Sequence, residues 1–245
     1  MKVRITFTFL LMIILLGCAG QKESLAQLDD EQVYKRAEAY YQDGKYQKAI
    51  TTLNELRYTP SVWADDAHLL TAKAYIADDE PILAASELKW LIKQYSQSKL
   101  VQEASFLLAE AYRLAAPKPQ LDQEYTKKAI QAYNDFLDLY PMSELADSAK
   151  YGKQLCLEKL AHKQYLSAEL YYKINQDSSA VVYINDIREK YPNTLWRLWS
   201  DLLEAKIRLD QNNQQRARIL LNQILVSNPD NKLEKKARDL LKELE

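Results

Sequence analysis

Glycine and proline are scarce in this chain: 4 and 7 residues out of 245. Rossmann folds, P-loops, β-sandwiches and collagen-like chains all need glycine at fixed turns, so each is disfavoured. The 2 cysteines and 2 histidines are too few for a disulfide framework or an ordinary zinc site. Charge is nearly balanced, with 33 basic against 34 acidic residues and a net of -1. No basic excess exists to hold a phosphate backbone, which argues against nucleic-acid binding. What remains is an apolar content of 47%, enough for a core, spread over long stretches without helix breakers. That combination predicts an all-α chain.

The longest apolar run is at the start. Residues 1–18 read MKVRITFTFLLMIILLGC, with Lys2 and Arg4 ahead of an uncharged stretch of 12 residues, Ile5 to Leu16. A bilayer span needs about 20 residues, so this run fits a signal-peptide core. It ends in Leu15-Leu16-Gly17-Cys18, which closely resembles the lipobox of bacterial lipoproteins. The resemblance implies cleavage before Cys18, diacylation of its thiol and acylation of the new amine. Residues 1–17 are then a signal peptide and 18–28 a lipidated cysteine with a tether. Two or more acyl chains anchor a protein stably, whereas one does not. Ala19 follows; in enteric-type lipoproteins, an aspartate there implies inner-membrane retention, so by that resemblance the expected location is the periplasmic face of the outer membrane. Cleavage removes two basic residues and no acid, giving 31 − 34, or -3. Cys156 would be the one thiol left without a partner, and it reads as a small buried apolar residue.

The body of the chain repeats. A small residue recurs as Ala37, Ala72, Ala109, Ala168 and Ala205, and a second as Ala49, Ala84, Ala129, Ala180 and Ala217. Three places after the first stands Tyr40, Tyr75, Tyr112 or Tyr171, with Arg208 in the fifth unit. Four places after the second stands Leu53, Leu88, Tyr133, Ile184 or Leu221. Pro141, Pro192 and Pro229 close the last three units; Pro60 stands one place early in the first and Ser96 takes the slot in the second. This pattern resembles the tetratricopeptide repeat, a helix–turn–helix of about 34 residues, although its tryptophan slot is never filled. Alanine fits both slots because helices of a hairpin cross closely only where neither carries bulk. The expected fold is therefore an all-α tetratricopeptide-repeat solenoid of five helix-turn-helix units.

Spacing locates two departures. The paired alanines lie 12 apart except in the third unit, where Ala109 and Ala129 are 20 apart; the extra residues form a loop around Ala115–Pro119. Unit starts are separated by 35, 37, 59 and 37 residues. The 59 implies one long helix from about Leu145 to Ile174, joining repeats 1–3 (29–142) to repeats 4–5 with a terminal helix (143–245). At 1.5 Å per residue it would run roughly 45 Å, with Gly152 as its expected weak point. Asp29 or Asp30, Ser61, Ser143, Ser178 and Thr194 stand where N-caps are wanted, and Pro81 suits a first helical position.

Catalysis has no foothold in the sequence. No G-x-S-x-G, H-E-x-x-H or Walker pattern occurs. His68 and His162 lie in different halves without a metal partner at helical spacing, which suits surface or interface histidines. No catalytic residue, metal site or cofactor is expected; the acids at Asp78–Glu80 are helix caps. A solenoid instead offers a concave wall made by the first helix of each unit. By resemblance to tetratricopeptide proteins, its peptide-groove positions are Tyr34, Glu38 and Tyr41 in the first unit. They are Leu69, Lys73 and Ile76 in the second, and Phe106, Glu110 and Arg113 in the third. These alternate apolar anchors with single charges, though the anchors could equally pack against the next unit.

Lipobox, five repeats, length and the long helix together resemble the BamD family, lipoproteins of the β-barrel assembly machinery. The stretches Tyr165–Tyr172 and Arg188–Thr194 resemble that family's fourth repeat and its close. The resemblance implies a lipid-anchored scaffold whose N-terminal repeats hold unfolded outer-membrane precursors. Its C-terminal repeats would dock on the periplasmic domains of the barrel-forming subunit, with accessory lipoproteins alongside. Trp196, Arg197 and Trp199, just after Pro192, are the expected docking residues, with Arg197 pointing away from the two tryptophans toward an acidic partner. The alternative is another tetratricopeptide lipoprotein of the cell envelope, such as a secretin pilot or a scaffold.

Overall fold

A computed structural model describes residues 28–227 and 229–244. The expected signal peptide, Cys18 and the expected tether before Leu28 lie outside the described residues. Among the described residues there are eleven α-helices and no strand. In chain order they are α1 (Asp30–Gln42), α2 (Tyr46–Arg57), α3 (Ala64–Ala77), α4 (Pro81–Gln94), α5 (Val101–Ala115) and α6 (Glu124–Leu139). There follow α7 (Ala146–Lys173), α8 (Asp177–Lys190), α9 (Leu195–Asp210), α10 (Gln214–Val226) and α11 (Asn231–Lys242). Each helix packs on the next in the chain, while α9 also packs on α7, and α5 on α7.

The repeat pattern maps directly onto the core. All ten paired alanines have 0% exposure, and so do Leu53, Leu88, Tyr133, Ile184 and Leu221. Each helix pair thus closes on two methyl groups and one large apolar side chain, the layering that the alternation of small and large demands. Tyr40, Tyr75, Tyr112 and Tyr171 are half-buried at the rims.

Four of the hairpin turns share one device. Gly44, Asp79, Asn175 and Asn212 have φ of 72°, 60°, 58° and 58°. Each stands seven residues after the first alanine of its unit. In each turn the next residue's N–H donates to the carbonyl five back: Lys45 to Tyr40, Glu80 to Tyr75, Gln176 to Tyr171 and Asn213 to Arg208, at 2.7–2.9 Å. This is the left-handed Schellman closure, which glycine and asparagine tolerate best. The third unit lacks it. There the chain leaves α5 at Ala116 with extended backbone, and the side-chain amide of Gln123 donates to the carbonyls of Lys118 and Leu121 to shape the eight-residue loop.

The long helix spans 28 residues, Ala146 to Lys173, within one residue of the expected ends; its length is about 42 Å. Gly152 is not a weak point. The helix runs through it unbroken, and a methyl group there would overlap Tyr133 Oη and stand 2.5 Å from Cζ and 2.9 Å from Glu110 Oε1. Glycine lets α7 approach α6 at this crossing. Caps split similarly. Asp29 forms a capping box with Gln32, Thr194 accepts from the Arg197 N–H, and Pro81 opens α4. Ser61 and Ser143 sit two residues ahead of the cap position, accepting from Trp63 and Leu145 N–H, and Ser178 lies inside the first turn of α8.

Candidate binding groove and docking face

Three helices frame an open groove. Ile76 from α3, Phe106, Glu110 and Arg113 from α5, and Asp147, Tyr151 and Leu155 from α7 line a cavity of about 660 Å³. A neighbouring cavity of about 390 Å³ shares Phe106 and Leu107 and runs past Glu103 to Glu144. Together they make a continuous trough along α5. Its apolar groups stay accessible: Tyr151 is 67% exposed and Leu114 46%. Phe106 is fixed edge-on against Phe136, with ring centroids 5.7 Å apart.

The charges of the trough are internally held. Arg113 binds Glu110 at 2.5 Å, and the Tyr133 hydroxyl donates to the other oxygen of the same carboxylate. Hydrogen bonding to Glu110 outweighs burial and holds the Arg113 guanidinium protonated. Burial, then the Glu110 carboxylate, drives the Tyr133 phenol above its usual range. Lys73 pairs with Glu103 at 2.7 Å. Gly152 packs beneath this chain, so the α6–α7 crossing and the groove wall are one assembly. Cys156 lies behind the wall in the core with Ala109 and Tyr133: it is free and buried, and burial pushes its thiol up to about 11.

Four of the nine expected groove residues, Ile76, Phe106, Glu110 and Arg113, therefore meet in the trough, and Lys73 stands at its edge. Leu69 does not belong there. It is 5% exposed and packs in the core with Ala72 and Leu88. Tyr34 is stacked on Trp63, centroids 4.9 Å apart, and burial foremost pushes its phenol up to about 12. Tyr41 lies against Tyr46, and Glu38 is exposed on α1 outside the trough. The wall made by the N-terminal half of α7 escaped the repeat pattern because that half precedes the fourth unit and belongs to none. The spacing of Ala149, Gly152 and Cys156, small residues three and four apart, was the signal that this half-helix packs like a repeat's first helix.

At the other end, Trp196 stacks on His162 at 3.6 Å between centroids and leans on Tyr165, tying α9 to α7. His162 is thus an interface histidine, its pKa lowered chiefly by burial. Trp199 lies 6.5 Å from Trp196, on the same side. Arg197 does not project freely. Its Nε is 3.1 Å from Asp201 Oδ2, within a cluster where Arg188 also binds Asp201 and Glu204, and Arg208 binds Glu204. Asp201 is 1% exposed and Glu204 3%; such acids need cations nearby, and Arg197 is one of them. Burial raises the Glu204 pKa, but hydrogen bonds from Arg188 and Arg208 outweigh it and the net shift is downward. His68 is likewise buried rather than on a surface. Its Nδ1–H donates to Glu87 at 2.7 Å, and Arg57 pairs with the same carboxylate.

Among the described residues no group of three histidines, cysteines or acids is placed to hold a metal ion, and no helix is long and apolar enough to cross a membrane. Paired helices with buried alanine crossings and an open trough define a helical-repeat protein of the tetratricopeptide type. The chain belongs to the YfiO family of outer membrane lipoproteins, whose model matches residues 26–218. It is 23% identical over 210 residues to a protein of Caulobacter vibrioides named outer membrane protein assembly factor BamD, covering 81% of this chain and 68% of that one. A putative BamD of Aquifex aeolicus is 25% identical over 188 residues, covering 74% and 60%. The chain thus spans roughly two thirds or less of these relatives' own lengths. Among solved structures, the TPR domain of P58(IPK) covers 86% of this chain and 56% of its own, at 19% identity and a TM-score of 0.44.

Proposed function

We propose that this chain is an outer-membrane protein assembly factor, a lipid-anchored scaffold rather than an enzyme. Cys18 carries the anchor and holds the chain on the periplasmic face of the outer membrane. The trough along α5 receives extended segments of unfolded barrel precursors, while the α7–α9 end docks on the periplasmic domains of the barrel-forming subunit. The observation that carries this reading is the open apolar trough, with Tyr151 and Leu114 uncovered at its lip. Exposed apolar area of this kind on a scaffold favours partner segments. Its paired charges at Glu110–Arg113 and Lys73–Glu103 suit the reading as well. They can orient a peptide without demanding one net charge from it. Membership in the lipoprotein family and the names of the two relatives agree with this role.

The experiment is affinity purification of the tagged full chain from membranes. The barrel-forming subunit is expected to accompany it. Cys18→Ser is expected to leave the membrane fraction and incorporate no fatty acid. Purification of a secretin, or of no envelope partner, would count against the assembly reading.

A further inference from the structure

A second pocket, of about 330 Å³, lies where α7, α9 and α11 meet, away from the trough. Its walls combine two chemistries. Tyr165 and Tyr172 from α7 and Trp199, Leu202 and Leu203 from α9 make an aromatic and aliphatic floor. Lys206 from α9 and Lys232 and Lys236 from α11 make a cationic rim. The one other lysine, Lys173, is taken by Glu169 at 2.7 Å. Lys206, Lys232 and Lys236 have no carboxylate partner among the described residues.

The rim is built, not incidental. Lys232 and Lys236 are four apart and share a helix face. Leu233 and Ala237 beside them are fully buried in the core with Leu220 and Leu221, which pins α11 in register. Both ammonium groups then stand over the Trp199 ring, at 5.6 and 5.8 Å from its centroid. Three like charges above an apolar floor repel one another, and a carboxylate among them relieves that repulsion.

We infer that this pocket is a docking site for an acidic protein segment, an extended stretch in which carboxylates flank an apolar side chain. The lysine rim takes the carboxylates, and the Trp199–Leu202–Leu203 floor takes the apolar group. Phosphate fits less well. No arginine lines the pocket to grip it bidentately. The inference deepens the assembly reading and rests on it where they overlap, since Trp199 belongs to the end proposed to dock on the barrel-forming subunit; it adds the chemistry of the segment taken there, which the peptide assay tests without that subunit.

The test is fluorescence anisotropy with the full chain and a fluorescein-labelled peptide, Gly-Ser-Glu-Leu-Asp-Leu-Glu. The comparison peptide has glutamine and asparagine in place of the acids. The acidic peptide is expected to bind about tenfold more tightly or better, with affinity falling as salt rises. Lys206→Gln/Lys232→Gln/Lys236→Gln is expected to lose that preference with an unchanged thermal melt. Because Lys206 is half-buried, Lys232→Glu/Lys236→Glu on the exposed helix serves as a second variant with the same expectation. Equal binding of the two peptides, or full acidic-peptide binding by both variants, would overturn the proposal. So would displacement of the peptide by equimolar inorganic phosphate, or lysine-dependent binding confined to phosphatidylglycerol vesicles.

Discussion

Replacing Gly152 with alanine separates two views of the long helix. If glycine were only a weak point, alanine would raise stability by about 1 kcal/mol through helix propensity. The packing predicts the reverse. The new methyl overlaps the Tyr133 hydroxyl end and stands 2.5 Å from Cζ. Tyr133 has 0% exposure and cannot swing out. Either the ring shifts, breaking its hydrogen bond to Glu110, or α7 moves off α6. Overpacking costs about 1–3 kcal/mol and a lost bond to a carboxylate about 1.5–3 kcal/mol. After subtracting the propensity gain, Gly152→Ala should destabilise by about 1.5–5 kcal/mol. For a chain of this size that lowers the melting temperature by roughly 3–20 °C. Denaturant melts of Gly152→Ala, Tyr133→Leu and the double variant measure it. The leucine leaves room for the methyl, so the double variant should be at least about 1 kcal/mol more stable than the sum of the singles predicts. A melt at or above the wild type, or strict additivity, would refute the close-packing account.

Three further outcomes are expected. Gly44→Ala should cost about 1 kcal/mol and Asp79→Gly should gain about 0.5–1 kcal/mol, because both sit at positive φ and no atom lies within 4 Å of a methyl at Gly44; paired thermal melts check the opposite signs. Glu87 and Glu204 have pKa values held below the usual 4.5. Their stabilisation is therefore present above that pH and lost as pH falls through the lowered values, so melting temperature should hold from neutrality to about pH 5 and drop below about 4.5. Arg197→Glu should destabilise by about 2 kcal/mol, since it sets a third acid beside Asp201 and Glu204; a melt unchanged from wild type would mean that Arg188 and Arg208 suffice.

The fold was written in residue spacing. Ten alanines and five large apolar residues recur on a regular spacing, and each lies fully buried. The 59-residue gap located α7 within a residue at each end. Such features are legible because helical periodicity is local and every unit repeats it. The left-handed turn residues are equally regular, seven places after the first alanine in four of the five units, and mark why four turns are tight and one is not. What spacing did not carry were pairings between distant elements. Arg197 looked free at a helix start, but its partner acid is one turn on and shared with Arg188 of another helix. His68 was expected at a surface or an interface, and spacing could not name its interface partner, Glu87 from α4. Leu69 and Ile76 occupy similar slots on α3, yet one faces the core and the other the trough. The trough itself needs the N-terminal half of α7, a stretch that the repeat register passes over before reaching Ala168.

The central claim is that the trough along α5 holds unfolded barrel segments. Photo-crosslinking from a benzoyl-phenylalanine placed at Tyr151 or at Leu114 tests it most directly, because both are exposed at the lip and neither is in the buried core. Lys127, exposed on α6 and outside the trough, is the control. With a peptide from the last strand of an outer-membrane barrel, the account predicts crosslinks at Tyr151 and Leu114 that unlabelled peptide suppresses, and none at Lys127. Absence of crosslinks at both trough positions, or an equal yield at Lys127, would contradict it.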